Sequence, residues 1–361
     1  MSVRAKPAFL APDALSRIFS VEEFEPIAAE RMDPAWYDAV RGWAGTGWTT
    51  RANIAAFGRW VFRPRVLVDV SKTTLETTVL GQTVAMPILF APSASHRLSH
   101  PDGELATARA AARLETVQAL SLYTTVALEE VAAVGHRRWL QLYWYTDHGM
   151  TAEIVARAEA AGYGAVVLTV DTGAGTWWEL WRGRPFQLPP GFTEANHPGR
   201  SFEHDAGITW RSLDWLRAQT RLPLILKGIS TVADARLAAA HGIDGIVVSN
   251  HGGRMTDGAI PSMDALPAIA EAVRGSIEIL MDGGVRRGTD VLKALALGAR
   301  AVLIGRPVQW GLAAGGEAGI VRMVELMAGE LHSAMALCGA RRPSEVTRAM
   351  GTRGRDVPRV V

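Results

Sequence analysis

The sequence predicts an α/β fold, a (β/α)8 TIM barrel with an N-terminal helical and hairpin cap and a long loop after the fourth strand. Three observations carry this. Eight short apolar runs recur from residue 86 onward: Ile88–Phe90, Val117–Leu120, Trp139–Leu142, Ala165–Val170, Leu222–Leu226, Gly245–Val248, Ile277–Met281 and Ala301–Ile304. Runs of this kind are what parallel strands buried on both faces require. Ala- and Leu-rich helical stretches separate most of them, for example Gly103–Leu114, Thr151–Ala161, Val232–His241 and Thr289–Leu297. Alternation of that kind implies parallel strands with helical crossovers. Finally, the first run is followed by Ala91-Pro92-Ser93-Ala94 rather than the glycine fingerprint of an open dinucleotide-binding sheet, which favours the closed barrel.

Taken in order, residues 1–20 read as a flexible leader, broken by Pro7 and Pro12 and without a signal peptide's apolar core. Phe24, Ile27 and Ala28 predict a short helix, and Asp33-Pro34 the start of a second. Arg41–Trp48 reads as a loop. Val66–Val70 and Leu75–Leu80 read as strands, with a turn at Gly81-Gln82. Residues 21–85 form a cap, residues 86–361 the barrel, and together they make one domain. Thr172 to Thr209 lacks periodicity and holds Trp177, Trp178, Trp181 and Pro189-Pro190-Gly191, as a lid or a disordered insert would.

Composition narrows the classes of function. Of 361 residues 48% are hydrophobic, enough for a large core, and Lys+Arg 38 against Asp+Glu 36 leaves no basic surface for nucleic acid. No apolar run approaches the roughly 18 residues of a membrane span. The one cysteine, Cys338, excludes an intrachain disulfide framework and fits a cytoplasmic protein.

In such a barrel the chemistry sits at the C-terminal ends of the strands. All eight ends are polar or Gly-rich here: Pro92-Ser93-Ala94, Ser121, Gln141 with Tyr143, Thr169 with Asp171, Lys227, Ser249 with His251, Asp282-Gly283-Gly284, and Gly305-Arg306. Asp282-Gly283-Gly284-Val285-Arg286 and Gly305-Arg306 stand on strands seven and eight, where barrels hold a phosphate on free backbone N–H groups and a guanidinium. Lys227 ends strand five and needs an anion or an electron-rich group facing it, for Schiff-base chemistry or for charge stabilisation on a cofactor ring. Gln141, Ser121, Thr169 and Tyr143 supply hydrogen bonds suited to a heteroaromatic ring. A phosphate anchor, ring-facing polar groups and one Lys point to FMN. His251, followed by Gly252-Gly253-Arg254, stands where a base would work. Of the other histidines, His96 is a pocket candidate, His100 reads as structural, and His148, His197 and His204 as solvated loop residues.

Phe62-Arg63-Pro64-Arg65, His100-Pro101-Asp102-Gly103-Glu104, Gln141-Leu142-Tyr143, Leu168-Thr169-Val170-Asp171, Leu226-Lys227-Gly228, Ser249–Arg254, Asp282–Gly288 and Gly305-Arg306-Pro307 together resemble the FMN-dependent α-hydroxy acid oxidase and dehydrogenase family, over nearly the whole chain. The resemblance implies oxidation of a CH–OH group, with His251 as base and Asp171 stabilising its protonated form. It implies Lys227 beside flavin N1 and O2, and Pro92, Ser93 and Ala94 near N5. It implies Ser121, Gln141, Thr169 and Ser249 around the ring and ribityl chain, and Tyr143 beside them. Asp282, Gly283, Gly284, Val285, Arg286, Gly305 and Arg306 would hold the ribityl phosphate, and Tyr143, His251 and Arg254 would face the substrate. A homotetramer is the implied assembly. Ala94 resembles the oxidase-type members, which implies O2 as acceptor.

Two family anchors for a substrate carboxylate are replaced. The Tyr position falls on Ala39 and the Arg position on Trp178, with Arg182 and Arg184 further along. Losing a bidentate Arg and a phenol makes the pocket larger and more apolar. The expected substrate is therefore bulky or aromatic, or a 2-hydroxyacyl ester, amide or carrier-bound thioester. Rival readings are an ordinary free 2-hydroxy acid oxidase, an FMN barrel doing net non-redox isomerisation or decarboxylation, a non-catalytic FMN protein, and a Lys227 aldolase.

Overall fold

A computed structural model describes residues 8–173, 188–197, 199 and 203–354. The cap comprises α1 (Pro12–Leu15), α2 (Phe24–Arg31), α3 (Pro34–Arg41), α4 (Trp48–Phe57), β1 (Trp60–Phe62) and the hairpin β2 (Thr77–Val79) and β3 (Gln82–Val84). The alternating unit follows: β4 (Ile88–Phe90), α5 (Gly103–Arg113), β5 (Val117–Leu120), α6 (Leu128–Ala132), β6 (Arg137–Leu142), α7 (His148–Ala160), β7 (Val166–Thr169) and α8 (Ser212–Gln219). It continues through β8 (Leu224–Ile229), α9 (Val232–Ala240), β9 (Gly245–Val248), α10 (Ser262–Ala272), β10 (Glu278–Met281), α11 (Gly288–Ala296), β11 (Ala301–Ile304), α12 (Arg306–Leu337) and β12 (Gly351–Arg353). Strands β4 to β11 close into one barrel, each parallel to its neighbours, and β11 pairs with β4 to complete the ring. The eight expected barrel strands are all present, within a few residues at each end.

Inside the ring, alternate side chains of the strands meet in a separate core. Leu89, Val117, Trp139, Val167, Ile225, Val247, Leu280 and Leu303 fill it, and Val79 and Val84 of the hairpin close it from the N-terminal end. Leu80 and Gly81 both take positive φ (46° and 75°), the geometry of a tight two-residue hairpin turn. The Glu278 carboxylate accepts from the Leu80 N–H at 2.7 Å and fastens that turn to β10. The larger core lies between the ring and its helices and runs into the cap.

Four expectations change. Residues 8–20 are not a loose leader: Leu15 and Ile18 are buried, and the Leu10 N–H donates to Ala314 O of α12 at 2.8 Å. Apolar spacing in that stretch finds a groove on the last helix. Val66–Val70 forms no strand, because no sheet edge is offered to it, and Val66 and Leu67 stand 81% and 103% exposed. Cap and barrel are also not consecutive blocks, since β12 returns to pair antiparallel with β1. Lastly, Lys227 does not end β8; the strand runs on to Ile229 with an irregular register between them. Trp177, Trp178, Trp181, Arg182 and Arg184 lie outside the described residues. The described part of the long connection is anchored, with the Ala195 N–H on Thr124 O at 3.0 Å and the Thr146 N–H on Glu203 O at 3.0 Å. No helix among the described residues is long and apolar enough to cross a membrane.

Candidate active site

The C-terminal ends of the strands open onto a cavity of about 700 Å³. Its wall brings together Pro92, Ser93, Ala94 and Ser121 from β4 and β5, Tyr143 after β6, and Lys227 from β8. His251 and Arg254 follow β9, Asp282, Gly283, Gly284, Val285 and Arg286 follow β10, and Gly305 and Arg306 follow β11. Ala39 lines it from the end of α3. Gln141, Thr169, Ser249 and Asp171 are not in the wall; each is bonded to a neighbour or stands behind a residue that is.

His251 sits in a one-turn 3-10 segment with φ +56°, a left-handed conformation unusual for a residue with a side chain. Its surroundings hold it there. Its backbone N–H donates to Ser249 Oγ at 3.0 Å, and its Nδ1–H donates to Asp171 Oδ1 at 2.9 Å. Asn250, next in the chain, forms a reciprocal amide pair with Asn53 of α4 at 2.8 and 2.9 Å. Gly253 lets the same helix approach: a Cβ there would meet Thr50 N at 2.5 Å, at φ +77°. Gly228 does the same for Asp171, whose Cβ would lie 2.7 Å from any Cβ added at φ +113°. The Lys227-Gly228 and His251-Gly252-Gly253 motifs are thus packing devices for the His–Asp pair as well as turn signals.

Electrostatics follow from burial. Burial first, and then Lys227, push the His251 imidazole below its ordinary range, with Asp171 pulling the other way. Burial also works against the Asp171 carboxylate, but His251 and Lys227 outweigh it and hold its pKa low. The result is an anion aligned with a neutral imidazole, which leaves Nε2 available to take a proton. The Tyr143 phenol is raised by burial, and then by Tyr123 and Asp171, so it remains an O–H donor. Lys227 Nζ lies 3.3 Å from Asp282 Oδ2 and donates to Ser249 Oγ at 3.3 Å.

The same wall carries a group of guanidiniums. Arg306 donates to Val40 O, Gly252 O and Gly42 O at 3.2, 3.1 and 2.7 Å. Arg286 donates to Val285 O at 2.9 Å and lies over the Trp310 ring. Burial pushes Arg306 well below its ordinary value, and Arg254 and Arg286 add like-charge repulsion. A concentration of cations bonded to carbonyls is matched by a dianion. Among the backbone N–H groups of Asp282–Arg286, that of Arg286 donates to Asp290 Oδ2 at 3.0 Å, so this residue offers its guanidinium. Gln141 donates through Nε2 to Thr169 Oγ1 and Leu142 O, while its Oε1 is buried without a donor among the described residues. That acceptor suits a ring N–H. These residues fit FMN: cations for the phosphate, an unmet acceptor for the ring, and Lys227 for its reduced charge.

Arg254 Nη1 donates to Ala39 O, Val40 O and Gly42 O at 2.9, 3.2 and 3.2 Å, capping the end of α3. Burial lowers its pKa to about 10, against a raising effect of Tyr143. The histidine expectations are corrected in part. His96 is absent from the cavity wall and locked between Ser93 Oγ and Thr107 Oγ1 at 2.7 and 2.8 Å. His204 does line the cavity, with Tyr123 OH 2.9 Å from its Nε2, and His197 is buried. Sequence reasoning also missed Trp36, Tyr123, Glu194, Met255 and Gln309 in the wall. Tyr123 was within reach of it, two residues past the strand-end Ser121; the others come from the cap, from loops and from α12 and carry no local signal.

Comparison with known proteins agrees with this geometry. The profile of the family described as FMN-dependent dehydrogenase matches residues 28–353. The chain is 46% identical over 356 residues to an L-lactate oxidase of a Nostoc species, covering 92% of this chain and 98% of that protein. It is 44% identical over 346 residues to a peroxisomal (S)-2-hydroxy-acid oxidase of Oryza sativa, covering 91% and 94%. A crystal structure of mandelate oxidase with 3,3-difluoro-2-hydroxy-3-phenylpropionic acid superposes with a TM-score of 0.89 at 43% identity, covering 93% and 100% of the two chains.

Proposed function

The chain belongs to the FMN-dependent dehydrogenase family, an oxidoreductase acting on CH–OH donors with FMN as cofactor, and from that premise we propose that it oxidises a bulky 2-hydroxyacyl substrate to the keto form with O2 as acceptor. The substrate is aromatic, or has its carboxylate masked as an ester, amide or carrier-bound thioester. The observation that carries this is Ala39 in the cavity wall, where a small side chain leaves room beside Arg254. The structural likeness to a mandelate oxidase supports the aromatic form.

The residues divide the work as follows. FMN, when bound, supplies the two-electron acceptor. Arg286 and Arg306 would meet its phosphate, Lys227 its ring, and Pro92, Ser93, Ala94 and Ser121 the remaining edge, with Gln141 standing behind the wall. His251 takes the proton released as the carbinol becomes a carbonyl, and Asp171 holds the imidazolium so formed through Nδ1. Tyr143, a donor, and Arg254, a cation, face the developing oxyanion. Ala94 supports O2 as acceptor, giving H2O2.

Substrate profiling tests this. With the holoenzyme under anaerobic conditions, mandelate and mandelate esters or amides bleach the flavin at least about tenfold faster than lactate or glycolate, the discrimination a hydrophobic pocket provides. Rapid bleaching by lactate or glycolate, with little by the larger compounds, would overturn the enlarged pocket. The assembly proposed is a homotetramer, the one the family resemblance implies, and the exposed Val66 and Leu67 are candidates for a face that it would cover. Light scattering is expected to give four times the 38.9 kDa chain mass, and a monomer refutes it. The buried lone Cys338 supports a reduced, cytoplasmic setting, which fluorescence localisation of a tagged chain checks.

A further inference from the structure

We propose that Glu194, with the rings of Tyr123, Tyr143 and His204, forms a binding site for a protonated amine at the distal end of the substrate cavity. This rests on the reading of that cavity as the hydroxyacyl site. The cavity is electrically lopsided. Lys227, His251 and Arg254 gather at the reacting end, where the lining carboxylate Asp282 is paired with Lys227 at 3.3 Å, while Glu194 is the carboxyl group that lines the wall near Tyr123. Tyr143 adjoins both groups: its ring lies 5.2 Å from that of Tyr123, and its phenol feels Asp171 and Arg254 as well as Tyr123. Glu194 lies among these rings, close enough for its charge to act on Tyr123 and Tyr145.

The rings around it are arranged as an aromatic wall. Tyr123 and Tyr143 have centroids 5.2 Å apart, Tyr143 and His204 5.0 Å, and Tyr145 and His204 5.2 Å. Tyr123 OH and His204 Nε2 are bonded at 2.9 Å, which fixes both rings. Electron-rich faces beside a carboxylate are the chemistry that recognises an ammonium. Glu194 lacks a strong resident partner among the described residues, where its ion pair is with His197 Nδ1 at a long 3.8 Å. Burial accordingly pushes its pKa up to about 7. A desolvated acid in a cavity wall is a group whose charge an incoming cation restores.

The test uses the FMN-loaded protein and three para-substituted mandelates carrying methyl, hydroxyl or aminomethyl groups. Dissociation constants come from anaerobic flavin-reduction kinetics, and independently from flavin absorbance changes on titrating the corresponding keto products. In the unaltered protein the aminomethyl compounds bind at least about tenfold tighter than the methyl ones, as a charge-assisted contact implies. Glu194→Gln brings that ratio close to one, and Glu194→Asp, which keeps the charge, retains part of it. A preference for hydroxyl over aminomethyl, or a ratio unchanged in Glu194→Gln, overturns the amine site. Equal affinity for all three overturns it while leaving the hydroxyacyl reading standing. A holoenzyme that neither these three nor their esters and amides reduce overturns both.

Discussion

Replacing His251 with Asn is expected to leave a yellow, folded protein whose flavin is reduced about 10²- to 10⁴-fold more slowly, the range general-base catalysis covers. Asn preserves an amide that can reach Asp171 Oδ1, so the Ser249–Asn250 segment retains its bonds to Asn53 and Lys227 has no reason to move. What is lost is the group that accepts the proton. The unaltered enzyme should show a matching pH profile. Because burial and Lys227 depress the imidazole, His251 is already neutral near pH 7, and the reductive rate falls only as pH drops through a value below the ordinary 6.5. Asp171→Asn removes the one strong influence raising that value, so the fall should shift further towards acid while the plateau rate declines. Stopped-flow reduction across pH 4.5–8 reads both effects, with the window chosen from the imidazole's ordinary range. A His251→Asn protein bleached at the unaltered rate would remove this residue from the role of base.

The second large effect is expected in stability rather than turnover. His136, just before β6, is buried with Nε2 2.9 Å from Gln118 Oε1, and burial, followed by Arg138, lowers its pKa to about 4. Unfolded, it would titrate near 6.5, so between those two values the unfolded chain binds more protons than the folded one. Stability is therefore full above pH 6.5 and lost progressively as pH falls towards 4, by on the order of 3 kcal/mol from this residue alone. Urea unfolding at pH 7 and pH 4.5 measures it. His136→Gln should reduce the pH dependence by a similar amount, and identical pH dependences in the two proteins would show that the imidazole does not carry it.

The barrel was legible from sequence because its strands are short β-branched or apolar runs buried on both faces, a pattern set by local composition. The strand-end chemistry was legible for the same reason, since Lys227, His251 and Asp282 stand at fixed offsets from those runs. What was missed depends on contacts distant in sequence. The stretch Val66–Val70 has strand-forming residues but no partner edge, while residues 8–20 look featureless until Leu15 and Ile18 meet α12. Helix α4, whose stretch after the Arg41–Trp48 loop drew no assignment from the sequence, supplies Thr50 and Asn53 beneath the His251 segment. Glu194 and His204 lie in a connection with no periodicity, so only their folded neighbours reveal that they face the cavity.

The β2–β3 hairpin has a further consequence. With the interior of the ring filled by side chains and its N-terminal end covered by Val79 and Val84, the described residues leave no way to the site through the barrel, and approach is from the C-terminal rim. Reactant arrival, departure of the keto product and delivery of oxidant must share that doorway. Turnover thus becomes a matter of traffic: a product that lingers at the rim delays both the next reactant and the oxidant, whatever the speed of the chemistry at the strand ends.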